Sequence, residues 1–173
     1  MQLLQKALAL LRRIFFDSKQ NQEPHYPSTF FRGISSETDV DRGAFLKASA
    51  FQFGEVPEER TDNSRELSIV WNDCEESLNT LLQQRNKKGN LQFAYGYATI
   101  KLSKFEDTVI NYIAGKMVGY ERKPIIEDKE KGIEANPYHG NILLQNSASD
   151  QLKKNIQHSL ATIAVFTRRK DDV

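Results

Sequence analysis

The chain has 173 residues, of which 39% are hydrophobic and 10% aromatic, and its 24 Lys and Arg against 23 Asp and Glu leave a formal net charge of +1. The length suits one compact domain, and the apolar content excludes a globally disordered chain. The near-neutral balance removes the global electrostatic case for a dedicated nucleic-acid binder, though not for a local basic patch. A single cysteine, Cys74, rules out an internal disulfide and a multi-cysteine zinc site.

Residues 1–18 read as an amphipathic helix. Leu4, Leu8, Leu11 and Phe15 fall on one stripe, which Leu3, Leu10 and Ile14 widen. Lys6, Arg12 and Arg13 interrupt the apolar run, so the stretch is too short and too charged to span a bilayer. The order of charges and the lack of a small-residue cleavage site make it a poor signal peptide. Such a helix docks on the domain or on a partner chain, with a membrane surface as the lesser reading. Residues 1–19 carry a local charge of +3 and leave −2 for the rest. Residues 19–28, polar with two prolines, read as a linker, and residues 29–173 as a single domain.

Within that domain, Thr29 to Ile34 reads as a strand, residues 35–44 as a loop, and Ala44 to Phe53 as ambiguous. Residues 54–65 form a charged loop. Glu66 to Trp71 is a second strand. Asn72 and Glu75 resemble a capping box that starts a helix ending near Lys88-Gly89, with Arg85, Lys87 and Lys88 in its last turn. Leu91 to Leu102 is the best strand pattern. Leu91, Phe93, Tyr95 and Tyr97 alternate on one face, and Gly96 permits close approach of another backbone or a ligand. Ser103 and Glu106 form a capping-box pattern before a helix that stops by Gly115 or Gly119. Residues 118–126 are extended and 127–136 are a charged loop. Asn141 to Leu144 is a strand, Ser147 or Ser149 caps a last helix, and Ile163 and Val165 favour a final short strand. Without a strict βαβ rhythm the fold class is α+β. The expectation is a small mixed or antiparallel sheet with about three helices, plus the N-terminal amphipathic helix.

Arg32-Gly33-Ile34, Ala44-Phe45 or Ala50-Phe51, Glu66-Leu67-Ser68-Ile69 and Asn136-Pro137-Tyr138-His139-Gly140-Asn141-Ile142 come in this order across residues 30–145. In these short segments the chain resembles a group of small uncharacterised bacterial proteins. It departs from them in its N-terminal helix and in the long insert between Ala50 and Glu66. The resemblance implies a bacterial, cytosolic setting, with defence or mobile-element biology as its context, and no chemistry.

Two residues stand out as candidate catalytic groups. His139, where a loop enters a strand, suits a general base or a phosphate contact, with Tyr138 and Asn141 nearby. It equally suits a turn histidine bonded to a backbone carbonyl. Arg32 suits an anion clamp or an internal ion pair with an acid such as Glu66. Ser68 lacks a nucleophile-elbow context, and acids flank Cys74. Asp39 and Asp41 fail calcium-loop spacing, and there is no Walker A or GxGxxG segment, so no cofactor or metal is expected. Tyr95 and Tyr97 suit base stacking or ordinary strand alternation. The leading expectation is a non-catalytic accessory subunit that binds another protein or its own copy through Leu4, Leu8, Leu11 and Phe15. The alternative is a small enzyme or binding domain for a nucleotide or nucleic-acid phosphate, which requires Arg32 and His139 to meet in one pocket.

Overall fold

A computed structural model describes residues 25–170 apart from Lys87, Lys129 and Lys131. The expected helix over 1–18 lies outside the described residues. Six strands form one sheet: β1 (Thr29–Ile34), β2 (Ser64–Trp71), β3 (Gly96–Lys101), β4 (Val118–Arg122), β5 (His139–Gln145) and β6 (Val165–Arg168). Their order is β4-β5-β2-β1-β3-β6 and every neighbouring pair is antiparallel. Three helices complete the α+β fold. They are α1 (Glu75–Gln83), α2 (Leu102–Phe105, continued by a π-helical stretch Glu106–Ala114) and α3 (Asp150–Ile163). Among the described residues no helix is long and apolar enough to cross a membrane.

Strand alternation sorts the sheet into two unlike faces. On the inner face Phe30, Ile34, Leu67, Ile69, Trp71, Ile100, Ile142 and Leu144 pack against Phe105 and Val109 of α2 and Ile156 and Leu160 of α3. The ambiguous stretch resolves here as a 3-10 turn, Ala48–Phe51, whose Ala50 and Phe51 enter the same core. On the outer face Phe31 and Val70 lie under Leu81 of α1 and Phe93.

The local signals hold in part. Ser149 caps α3 by accepting from the Leu152 amide, and Gly115 (φ 52°) closes the π-helical stretch. Other boundaries move. The box that starts α1 is built by Cys74 and Ser77, while the Asn72 side chain donates to Thr29 Oγ1. Helix α1 stops at Gln83 because Gln84 turns extended (ψ 136°). Asn86 then nucleates a turn by accepting from the Lys88 and Asn90 amides, so Arg85 and Lys88 lie beyond the helix. The helix after β3 begins at Leu102, so Ser103 sits inside it, and Glu106 accepts from the Tyr120 hydroxyl instead of capping.

The longest strand pattern is also cut short, at Gly96. With φ at 153°, Gly96 breaks the phase of the alternation. Phe93 and Tyr97 stay on the outer face, whereas Tyr95 turns to the inner side and stacks on Phe166 with centroids 5.7 Å apart. The close backbone neighbour expected at Gly96 is the Thr167 carbonyl of β6, which a Cβ would strike.

Trp71 ties the β4 end together. Its fully buried indole meets the rings of Tyr26, Phe30 and Tyr120, and its Nε1 donates to the Glu121 carbonyl at 3.3 Å. That reach passes over Gly140, where a Cβ would overlap both Nε1 and the Glu121 oxygen. Neither neighbour can yield, since one is a packed ring and the other is backbone. Gly140→Ala is expected to cost about 2–3 kcal/mol through overpacking. Chemical denaturation followed by the fluorescence of this sole tryptophan measures it, and an unchanged midpoint would contradict the packing described.

Candidate functional site

Half of the outer face is polar. Helix α1 packs over Phe31 of β1 and the Val70 end of β2 and leaves Glu66 and Ser68 of β2, His139 and Asn141 of β5 and Glu121 of β4 to the loop that precedes β2. From that loop Arg60 reaches across the face and donates to Asp62 (2.9 Å), Glu121 (2.6 Å) and Glu66. Its side chain is only 10% exposed. Hydrogen bonds to Asp62 and Glu121 hold the guanidinium far above its usual pKa. Lys123 Nζ donates to Glu66 at 2.8 Å. Burial pushes the Glu66 carboxyl up, but the hydrogen bonds from Lys123 and Arg60 outweigh it and leave the pKa below the usual value. Asn141 is fully buried in the same face, with Nδ2 3.5 Å from Glu121 Oε1 and no hydrogen-bond partner for Oδ1. Sequence reading had placed Arg60 in a charged loop. Asp62 is a neighbour in the same loop, but Glu66 and Glu121 lie 6 and 61 residues away, and nothing local marks them as partners.

His139 opens β5 on this face. Its Nδ1 lies 2.7 Å from the Lys123 carbonyl, which accepts from Nδ1–H and fixes the orientation of the ring. Burial lowers its pKa, only partly offset by that hydrogen bond. The slot beside it, lined by Phe31, Gly33, Ser68, Leu81 and Phe93 among others, has a volume of about 20 Å³. This is room for one water and no substrate. The geometry is the turn-histidine reading, with a backbone carbonyl as partner.

Arg32 lies on the inner face, in phase with Phe30 and Ile34. Strands β1 and β2 pair only at Phe30↔Trp71 and Phe31↔Val70 and then part, so Ser68 loses its ladder partner on β1. Arg32 Nη1 donates to the Ser68 carbonyl at 2.9 Å, and Nε to the Ala50 carbonyl at 3.4 Å. Burial lowers its pKa to about 10, against the favourable charge of Asp39, and it stays cationic at neutral pH. The guanidinium therefore replaces missing strand contacts. It makes no ion pair with Glu66, whose partners are Arg60 and Lys123. Arg32 and His139 occupy opposite faces of the sheet, so the shared phosphate pocket required by the enzyme reading is not formed.

The other candidates fall singly. The Cys74 thiol donates to the Tyr138 hydroxyl at 3.4 Å at the start of α1. Tyr97 meets Phe31 edge-on, so both tyrosines of the expected stacking pair are engaged within the chain. Among the described residues no three His, Cys, Asp or Glu side chains converge on a metal-sized site. Leu4, Leu8, Leu11 and Phe15 lie outside the described residues. The class is thus an antiparallel α+β domain with one apolar face and one half-polar face. No protein-family model matches the chain, and no curated protein or solved structure is similar to it.

Two outcomes follow from the polar face. Arg60→Ala removes the shared partner of three carboxylates, two of them partly exposed, and is expected to cost about 2 kcal/mol. Hydrogen exchange should then rise first in the loop before β2. For His139 the folded pKa lies below the unfolded value near 6.5. Its contribution to stability is thus complete above that value and is lost as pH falls through the lowered folded pKa. Unfolding free energies of His139→Gln measured between pH 7.5 and 4.5 should fall less steeply than those of the parent. Parallel slopes would refute the assignment.

Proposed function

We propose that this protein is a non-catalytic accessory subunit of a multiprotein assembly, docking through the apolar stripe of residues 1–18. The observation that carries the reading is where the body takes hold of the chain that follows that stripe. Tyr26, within the stretch expected as linker, is wedged against Trp71 and Tyr120, with ring centroids 4.9 and 4.8 Å away. Arg122 donates to the His25 carbonyl and lies 5.8 Å over the Tyr26 ring, while Asp73 holds the guanidinium from the other side. Ser28 accepts from the Leu102 amide. The chain is therefore pinned from His25 onward, and a docking stripe that precedes it is presented from a fixed point near β4. A fixed exit limits the orientations a partner must select among, which lowers the entropic cost of docking. The likeness to small bacterial proteins supports a bacterial, cytosolic setting, with defence or mobile-element systems as the place to look for the partner.

The test is native mass spectrometry of the untagged full chain, a chain lacking residues 1–18, and Leu8→Glu. The expected result is a stoichiometric complex or homo-oligomer for the full chain, lost on deletion and weakened roughly 10-fold or more by the charge on the stripe. The thermal midpoint of the body should not change on deletion. A monodisperse monomer that behaves the same with and without residues 1–18 would overturn the proposal.

A further inference from the structure

The far end of the sheet offers a second surface, independent of the first. Strand β6 is the edge strand there, paired only with β3. The Arg169 amide donates to the Tyr95 carbonyl, which sets the phase of the ladder. Residues 165, 167 and 169 bond inward to β3, and the N–H and C=O groups of Phe166 and Arg168 point outward. No described residue bonds those outward groups. An unpaired edge is a template for another strand unless something covers or repels it.

A groove lies along β6 on each side. On the inner side, about 420 Å³ is bounded by the stacked Tyr95 and Phe166 rings, and the charges of Glu37 and Asp41 balance Arg42 and Arg168. On the α1 side, about 330 Å³ is bounded by Leu78, Leu82 and Tyr97 and by Arg168, Arg169 and Lys170, with no carboxylate. An added strand sends alternate side chains to opposite faces, so it would meet both grooves at once. One groove is aromatic and charge-balanced, the other purely cationic. We infer that β6 accepts, as a seventh strand, an extended segment of a partner protein in which acidic and apolar residues alternate. The acidic side chains lie toward Arg169 and Lys170, and the apolar ones toward Tyr95 and Phe166.

Two other occupants fit less well. A second copy pairing antiparallel along β6 would bring Val165, Phe166, Thr167 and further cations to these grooves, and no carboxylate from residues 165–170. A nucleic acid would satisfy the cations, but its phosphodiester backbone has no N–H groups for the outward carbonyls of Phe166 and Arg168.

The probe is a fluorescein-labelled peptide, Glu-Phe-Glu-Val-Glu-Phe-Glu, titrated with the full chain and read by anisotropy. A second peptide carries N-methyl groups on the Phe and Val residues, whose amides face β6 in this register. The expected result is binding that weakens with added salt, falls about tenfold or more on N-methylation, and shifts the amide resonances of residues 165–170. Lys170→Glu, an exposed site, should weaken it without altering the thermal midpoint. Three results would each overturn the inference: no binding at millimolar protein, equal affinity for the N-methylated peptide, or tighter binding of a twelve-residue oligothymidylate.

Discussion

The indole of Trp71 crosses strand β5 at the single place where no Cβ stands in its way, and most of the fold is arranged around that crossing. By reaching the Glu121 carbonyl over Gly140, the ring joins β2, β5 and β4 on the inner face. It also provides the surface on which Tyr26, Phe30 and Tyr120 pack. A buried indole must find an acceptor for its N–H, and here the acceptor is backbone, which removes any choice of rotamer. The segment at residues 25–28 is held because this cluster is rigid. The exit point of the N-terminal segment thus follows from one tryptophan and one glycine.

The two faces of the sheet put different demands on their charged residues. On the apolar inner face an arginine survives only by bonding bare carbonyls, and Arg32 does so at the gap where β1 leaves β2. On the half-polar outer face Arg60 is surrounded by carboxylates, and His139 is fixed to a carbonyl with its charge suppressed by burial. Each of these groups is committed to holding the fold. His139 faces only the slot of about 20 Å³, while Arg60, its donors taken up by Asp62, Glu66 and Glu121, lines an open cavity of about 360 Å³ with Lys123.

Much of this architecture was legible in the residues. The short apolar runs of Thr29–Ile34 and Glu66–Trp71, the Ser149 cap and the run before Gly115 depend on neighbours within a few positions, and local preference settles them. The errors came where a distant contact overrode a local pattern. Leu91, Phe93, Tyr95 and Tyr97 alternate in sequence, yet the part before Gly96 leaves the strand, where β6 crowds Gly96 and the phase reverses. Ser103 and Glu106 have capping-box spacing, but Tyr120 on β4 takes the carboxylate. The stretch containing Arg60 reads as a charged loop, because Glu121, unlike the neighbouring Asp62, is brought beside it only by the pairing of β2, β5 and β4.

The amino-acid sequence by itself determined the class of fold, the number of helices in the body and most strand positions. All of these follow from periodicity and short-range capping. Only the tertiary structure decided that Arg32 and His139 lie on opposite faces, that Arg60 unites three acids, and that no described strand pairs with the outer edge of β6, which runs between two unlike grooves. The physical reason is the side-chain period of two along a strand. Which face a residue joins, and what it meets there, depends on the register of strands far apart in the chain, and no local pattern carries that register.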